Sequence, residues 1–291
     1  MVIVITGPTG TGKSDLGIYL AKKLNGGIIN CDSTQIYKGM EICTNKVKDT
    51  CGIIHHLFDE KELTEDYTVF DFQIDSRKII DDIIKRGKTP ILVGGTGLYI
   101  KASLYDYKFE DKEKEEFKEI DNDELYKMLL EVDPNTNIHK NNRKRVVSAL
   151  NYYKANNKPY SEKEKTNKLL YKTIFIGLTT DRTTLYDRIN KRVDNMVSEG
   201  LLEEAYNIYK SGIRTKAVMT PIGPKELFDY FDGKISLEES IEIIKSKSRK
   251  YAKRQYTWFN NQMNLKWFKV DYDNFNDTCL NVYKYINDKF D

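Results

Sequence analysis

The chain has 291 residues, 31% charged and 40% hydrophobic, with a formal net charge of +3, a balance ordinary for one large globular domain or for a core carrying a smaller second domain. No apolar stretch approaches the roughly 20 residues that span a bilayer, and Met1 runs straight into a strand-like segment that leaves no room for a signal peptide, so a cytoplasmic protein without membrane contact is expected. Cys31, Cys43, Cys51 and Cys279 have neither zinc-site spacing nor the density of a disulfide scaffold and read as free thiols, while so small a net charge announces nucleic-acid binding only if the basic residues cluster.

The first element is a continuous apolar run, Val2-Ile3-Val4-Ile5. It leads into Gly7, Pro8, Thr9, Gly10, Thr11, Gly12, Lys13 and Ser14, after which Leu16, Leu20, Ala21 and Leu24 recur at helical spacing. Buried strand, glycine-rich turn and helix, in that order, form the context of a phosphate-binding loop. The glycines allow several N–H groups to point inward, the helix N-terminus adds partial positive charge, and Lys13 adds a full one. Ser14 stands where the loop hydroxyl coordinates Mg2+ beside a polyphosphate. By itself the loop fits a kinase or an NTPase as well as any other handler of phosphorylated small molecules.

Next comes Gly27-Ile28-Ile29-Asn30-Cys31-Asp32, a short strand ending in a carboxylate. The adjacent His55 and His56 face different ways on any regular element, one packed and one solvated, rather than forming a metal pair. A helix is predicted from about Thr68 to Lys85, with Phe72, Ile79, Ile80 and Ile83 at turn spacing and Gly87 closing it. Pro90-Ile91-Leu92-Val93 is another apolar strand and ends in Gly94-Gly95-Thr96-Gly97. Strands that are apolar throughout and joined by helices indicate a parallel sheet covered on both faces. The expected fold is therefore α/β, a doubly wound parallel sheet like that of the P-loop NTPases. Ligands bind such sheets beyond the strands' carboxyl ends, where Gly7 to Ser14, Asp32 and Gly94 to Gly97 converge.

From 104 to 168 the character changes. Asp111 to Glu116 is a charge run that reads as solvated. Leu125, Met128 and Leu129, then Val146, Ala149, Leu150 and Tyr153, give amphipathic helices separated by Asp133-Pro134. This is a helical insertion domain dividing a core made of 1–103 and 169–291. One core strand, Thr173 to Leu178, follows it, and Leu185, Ile189, Val193 and Met196 mark a long helix broken near Gly200 and ended by Gly212. The basic residues cluster twice. Arg143, Lys144 and Arg145 lie in the insertion. Arg249, Lys250, Lys253 and Arg254 fall within roughly 140° of arc on a helix, with Tyr251, Ala252, Trp258 and Phe259 opposite. Arg188 and Arg192, one turn apart, either reach a pyrophosphate or sit on the surface.

Four segments together resemble the tRNA dimethylallyltransferases, also called tRNA isopentenyltransferases. They are Gly7 to Ser14; the D-S-T-Q-I-Y-K-G-M run from Asp32 to Met40; L-V-G-G-T-G-L-Y from Leu92 to Tyr99; and Lys250 to Phe259, close to the family's A-K-R-Q-x-T-W-F. Asp181 through Met196 and Asp229 to Lys234 fit weaker family patterns, so the resemblance covers nearly the whole chain. Departures are Ile54 for a usual proline, Cys43 and Asn45 for a glycine and an alanine, Ser148 for a frequent arginine, and Pro224 for the tyrosine of I-G-Y-K-E.

The resemblance implies transfer of a dimethylallyl group from its pyrophosphate to N6 of the adenosine adjacent to the anticodon. It gives Thr9 the role of hydrogen-bond donor to the bridging oxygen and Asp32 that of the base for the N6 proton. Ser33, Thr34, Gln35 and Thr96 then join Asp32 in holding the target nucleotide, and Arg143, Lys144 and Arg145 grip the anticodon stem-loop. The cofactor expected is Mg2+, the partners tRNA and dimethylallyl pyrophosphate, and the enzyme a monomer. Two readings compete: a small-molecule or nucleotide kinase with Asp32 as base toward a hydroxyl, and a non-enzymatic RNA-binding module switched by nucleotide.

Overall fold

The computed structural model describes residues 1–109, 117–163 and 168–289; the charge run Asp111 to Glu116 lies outside them. They group into two compact units, one formed by Met1–Tyr105 with Leu169–Asp291 and the other by Asp106–Lys168.

In the larger unit β1 (Val2–Thr6), buried at every residue, feeds the glycine-rich turn and α1 (Lys13–Lys23). β2 (Gly26–Asn30), β3 (His55–His56), α2 (Val69–Lys85), β4 (Thr89–Val93) and α3 (Gly97–Leu104) follow. Thr68 caps α2 reciprocally with Asp71, which satisfies two N–H groups that a helix start otherwise leaves unpaired. The smaller unit holds α4 (Asn122–Val132) and α5 (Arg143–Asn156), packed through Leu125, Leu129, Ile138, Val146, Ala149 and Leu150.

The larger unit resumes with β5 (Thr173–Thr179) and α6 (Arg182–Ser198). Gly200 at φ +107 turns the chain into α7 (Leu201–Lys210), a left-handed conformation open to glycine at little cost. Then come α8 (Lys216–Met219), α9 (Pro224–Phe231), the long α10 (Leu237–Gln262), β6 (Lys266–Lys269) and α11 (Phe275–Asn287).

The six strands form one parallel sheet in the order β3-β2-β4-β1-β5-β6. Alternation along β1 sends Ile3 and Ile5 to a core shared with Leu16 and Leu20 of α1 and Val282 of α11, while Val2 and Val4 meet Phe72, Ile100 and Phe259 on the other side. Helices on both faces explain why these strands are apolar throughout.

Two strands, not one, follow the smaller unit. β6 escapes the sequence pattern because it is a four-residue edge, Lys-Trp-Phe-Lys, exposed at both ends, and edge strands are kept short and charged. β3, the other edge, has only two residues, and both His55 and His56 are half-buried. Neither is the solvated member of the pair, because each packs on one face of a sheet margin.

Candidate functional site

The phosphate-binding loop is held by its own geometry and by the end of the chain. Gly7 has φ +137, and a Cβ there would stand 2.4 Å from the Leu178 carbonyl oxygen of β5. The turn therefore closes against its neighbouring strand only with glycine at that place. Thr11 Oγ1 and Lys13 Nζ donate to Pro8 O at 2.9 and 2.8 Å, while Arg188 Nε and Tyr272 Oη donate to Gly10 O at 3.3 and 3.2 Å. Arg192 donates to the Thr9 hydroxyl. Gly12, left-handed at φ 82, begins α1 with no side-chain cap, so the first N–H groups of that helix lack an internal partner and present partial positive charge.

Burial, and then the Arg192 charge, push the Lys13 ammonium down from 10.5 to about 8, with Asp32 opposing. Burial also lowers Arg192, again against the pull of Asp32. Two half-buried cations facing an uncapped helix start make a cradle short of negative charge, which an anion completes.

Asp32 lies just beyond β2. Its N–H donates to Asn30 Oδ1 at 3.1 Å, and its Oδ1 accepts from Thr34 N at 3.1 Å and Thr34 Oγ1 at 2.7 Å. Thr96, in the turn between β4 and α3, accepts from Ser33 N at 3.1 Å. The two strand ends approach so closely that a Cβ on Gly94 would stand 2.3 Å from the Cys31 carbonyl carbon. Gln35 turns its amide to Thr44 O at 3.0 Å. The loop after it is pinned by the buried Lys46, which donates to Tyr37 O, to Glu41 and to Asp59.

Gln255 of α10 carries a tie that sequence reasoning missed. Its Oε1 accepts from Thr9 N at 2.9 Å and its Nε2 donates to Gly95 O at 3.1 Å. A Cβ on Gly95 would meet that Nε2 at 2.1 Å, and one on Gly97 would meet the Trp258 ring at 2.1 Å. The signal available was a glutamine on the packed side of a helix, inside the fourth motif. Tyr251, one turn earlier, has its phenol raised by burial and then by the Asp32 charge.

Two adjoining cavities, of about 540 and 510 Å³, share Thr9, Lys13, Asp32, Thr44, Gly95 and Arg192. The first runs along α6, α9 and α10, with apolar walls from Ile189, Val193, Met196, Ile222 and Ile244 and basic groups from Lys247, Lys250 and Arg254. The second holds Ser14, Asn30, Gln35, His55 and Arg188. An anion site, a carboxylate and an apolar chamber thus open into one another.

The structure brings Thr9, Gly10, Gly12, Lys13, Ser14, Asp32 to Gln35, Thr96, Arg188 and Arg192 to these cavities, while Gly7, Pro8 and Thr11 are buried behind the loop and line neither. Arg143, Lys144 and Arg145 belong to the smaller unit. Arg143 donates to Phe117 O at 2.6 Å, Ile120 O at 2.8 Å and Asn122 Oδ1 at 2.9 Å, tying α5 to the start of α4 and the segment before it; Lys144 and Arg145 are exposed. In α10 the basic face is not uniform. Arg249 is bound to Asn190 Oδ1 at 2.5 Å, Lys253 is exposed, and Tyr251 joins Lys250 and Arg254 at the cavity.

All four cysteines are free thiols, with Cys51 alone exposed. Of the departures from the family pattern, Asn45 adopts φ +49, Pro224 takes the first turn of α9, where its missing N–H costs nothing, and Ile54 is exposed.

The pattern of the family described as IPP transferase matches residues 35–262. The chain is 48% identical to a tRNA dimethylallyltransferase of Geobacillus thermodenitrificans, over 99% of this chain and 96% of that one, and 46% identical to one from Anoxybacillus flavithermus over 99% and 97%. Among solved structures, the tRNA isopentenylpyrophosphate transferase of Bacillus halodurans superposes with a TM-score of 0.77 at 40% identity, covering 99% of this chain and 96% of that chain. A eukaryotic dimethylallyltransferase acting on tRNA superposes with a TM-score of 0.79 at 34% identity, covering 92% and 73%. The sequence pattern, the near full-length relatives and the shared fold agree: the chain belongs to the IPP transferase family.

Proposed function

We propose that the protein transfers a dimethylallyl group from dimethylallyl pyrophosphate to N6 of the adenosine adjacent to the anticodon of tRNA, releasing pyrophosphate. The observation that carries this reading is the convergence of the phosphate loop, the Arg192-bound Thr9 hydroxyl and the Asp32 carboxylate on one pair of cavities.

In this reading the loop N–H groups, Lys13, Arg188 and Arg192 meet the negative charge that grows on pyrophosphate as the allylic C–O bond breaks. Arg192 donates to the Thr9 oxygen, which leaves the hydroxyl proton for the bridging oxygen of the donor. Adenine N6 attacks the allylic carbon, and Asp32 accepts the N6 proton as the C–N bond forms. Thr34 and Asn30 fix the Asp32 turn and Thr96 fixes Ser33, so the base is held before substrate arrives. Gln35 stands beside it as an adenine contact.

The Ser14 hydroxyl makes no hydrogen bond among the described residues and lines the cavity beside Lys13, which suits a ligand to Mg2+ together with pyrophosphate oxygens. Mg2+ bound there would add fixed positive charge to the leaving group.

The adenine must leave its stack to reach Asp32, at a cost of about a few kcal/mol. Lys250 and Arg254 at the cavity, and Lys144 and Arg145 on the smaller unit, are the cations proposed to offset this through RNA phosphates, with that unit gripping the anticodon stem-loop. Among the described residues no helix is long and apolar enough to cross a membrane. A cytoplasmic monomer is the proposed setting, in keeping with the composition.

Family membership weighs against the kinase reading. Incubation with unmodified tRNA, Mg2+ and labelled dimethylallyl pyrophosphate is expected to place label in the RNA. Steady ATP consumption with a small acceptor, and no labelled RNA, would overturn the proposal.

A further inference from the structure

The geometry points to Gln255 as a positioning residue that sets the distance between the hydroxyl on the leaving-group side and the carboxylate on the nucleophile side. The inference rests on the proposed prenyl transfer and concerns how its two halves are held in register.

The phosphate loop leaves β1, whereas the Asp32 turn leaves β2 and is fixed through Thr96 in the turn that follows β4. These segments are joined by one buried carboxamide. Gln255 Oε1 takes the Thr9 N–H at 2.9 Å and Gln255 Nε2 gives to Gly95 O at 3.1 Å. The Thr9 N–H is therefore committed to Gln255 and withdrawn from the anion cradle, so the place of the Thr9 hydroxyl is set by the protein before the donor binds. On the other side, Gly95 directly precedes Thr96, whose hydroxyl accepts from Ser33 N, next to Asp32. An unbroken path thus runs from Thr9 through Gln255, Gly95, Thr96 and Ser33 to Asp32.

The chemistry of the tie is specific. Its two ends demand one acceptor and one donor, and among side chains of this length the amide supplies both at every pH, where a carboxyl group does so only when protonated. The missing Cβ of Gly95 is what lets the amide approach. Leucine fills the volume and leaves Thr9 N–H and Gly95 O unpaired. Ionised glutamate keeps the Thr9 bond but sets a carboxylate oxygen against the Gly95 carbonyl. Protonated glutamate regains a donor and restores both bonds.

The test uses the full-length protein, wild type and the variants Gln255→Leu and Gln255→Glu. Single-turnover transfer from labelled dimethylallyl pyrophosphate to unmodified tRNA is measured between pH 5 and 8, alongside equilibrium binding of donor and of tRNA and thermal unfolding by circular dichroism. Both variants are expected to stay folded and to bind donor and tRNA within about threefold of wild type, while their transfer rates at pH 7.5 fall about 100-fold, the scale of loss that a misplacement of about 1 Å produces. For Gln255→Glu the ratio of its rate to that of wild type should climb as pH falls, because burial beside a carbonyl raises the glutamic acid pKa into this range. Dividing by the wild-type rate removes the titration of the base itself.

A rate near wild type for Gln255→Leu, a flat ratio across pH for Gln255→Glu, donor binding that falls as far as the rate, or unfolding of both variants would each overturn the inference. Active wild type with unaffected variants removes the positioning role alone. Wild type that leaves RNA unlabelled removes the functional reading and the inference together.

Discussion

Arg192 of α6 donates a hydrogen bond to the hydroxyl oxygen of Thr9. That oxygen is thereby occupied as an acceptor and the hydroxyl is left to act as a donor. Thr9→Val should lower the single-turnover rate about 100-fold with little change in donor affinity, the usual cost of removing one donor to a developing oxyanion. Thr9→Ser should keep most of the rate. Rates for valine and serine that match each other would show that the hydroxyl is not used.

Lys13 gives a pH dependence of definite sign. In the free protein burial and Arg192 hold it near 8 rather than 10.5, so it loses its proton as pH rises through about 8, and a pyrophosphate brings the proton back. Binding of inorganic pyrophosphate should weaken above pH 8, by at most about tenfold per unit for the uptake of one proton. Calorimetry at pH 8.5 in two buffers of different ionisation enthalpy should register proton uptake, and Lys13→Met should abolish it.

Asp32→Asn should retain donor and tRNA binding and lose about 100- to 10,000-fold in the chemical step, since an amide does not accept the N6 proton at neutral pH. Filter binding beside single-turnover kinetics separates the two effects; parallel losses would reduce Asp32 to an RNA contact.

The three basic residues of α5 should divide. Lys144→Gln and Arg145→Gln should weaken tRNA binding and flatten its salt dependence by about 0.7 to 0.9 in log–log slope for each phosphate no longer neutralised. Arg143→Gln should lower the thermal stability of the smaller unit, because its guanidinium serves the Phe117 and Ile120 carbonyls. An equal salt effect from all three would show that Arg143 is released on RNA binding.

Gly94→Ala should destabilise the protein by about 1–3 kcal/mol or more, since its new methyl group would stand 2.3 Å from backbone that has no rotamer to change. Thermal unfolding reads this directly.

The elements that position the site were legible wherever they are long and apolar. β1 and β4 declared themselves by continuous hydrophobic runs, β2 by a short strand pattern ending at Asp32, and the phosphate loop by glycines whose left-handed φ values at Gly10 and Gly12 the structure displays. Hidden from the sequence were features that depend on who the neighbour is. β3 and β6 are short edges whose identity lies in their partner strand. Lys46 looks like any surface lysine until Asp59 and Glu41 surround it. Arg143 and Arg192 carry the same charge, yet one serves carbonyls within its own unit and the other the phosphate loop. Gln255 carries no charge and breaks no pattern; only the meeting of α10 with Thr9 and Gly95 discloses its use.

The support beneath the phosphate loop has a consequence for how the protein comes into being. The Tyr272 hydroxyl bonds Gly10, the Phe275 ring lies where a Cβ on Gly12 would stand, and Arg188 stacks at 3.8 Å on Tyr272. Tyr272 stands 262 residues after Gly10 in the chain, so the loop emerges from the ribosome long before the groups that brace it. A nascent chain halted before Tyr272 would carry every loop residue and still lack part of the loop's underside, so competence for the donor waits on that later segment rather than on the loop itself.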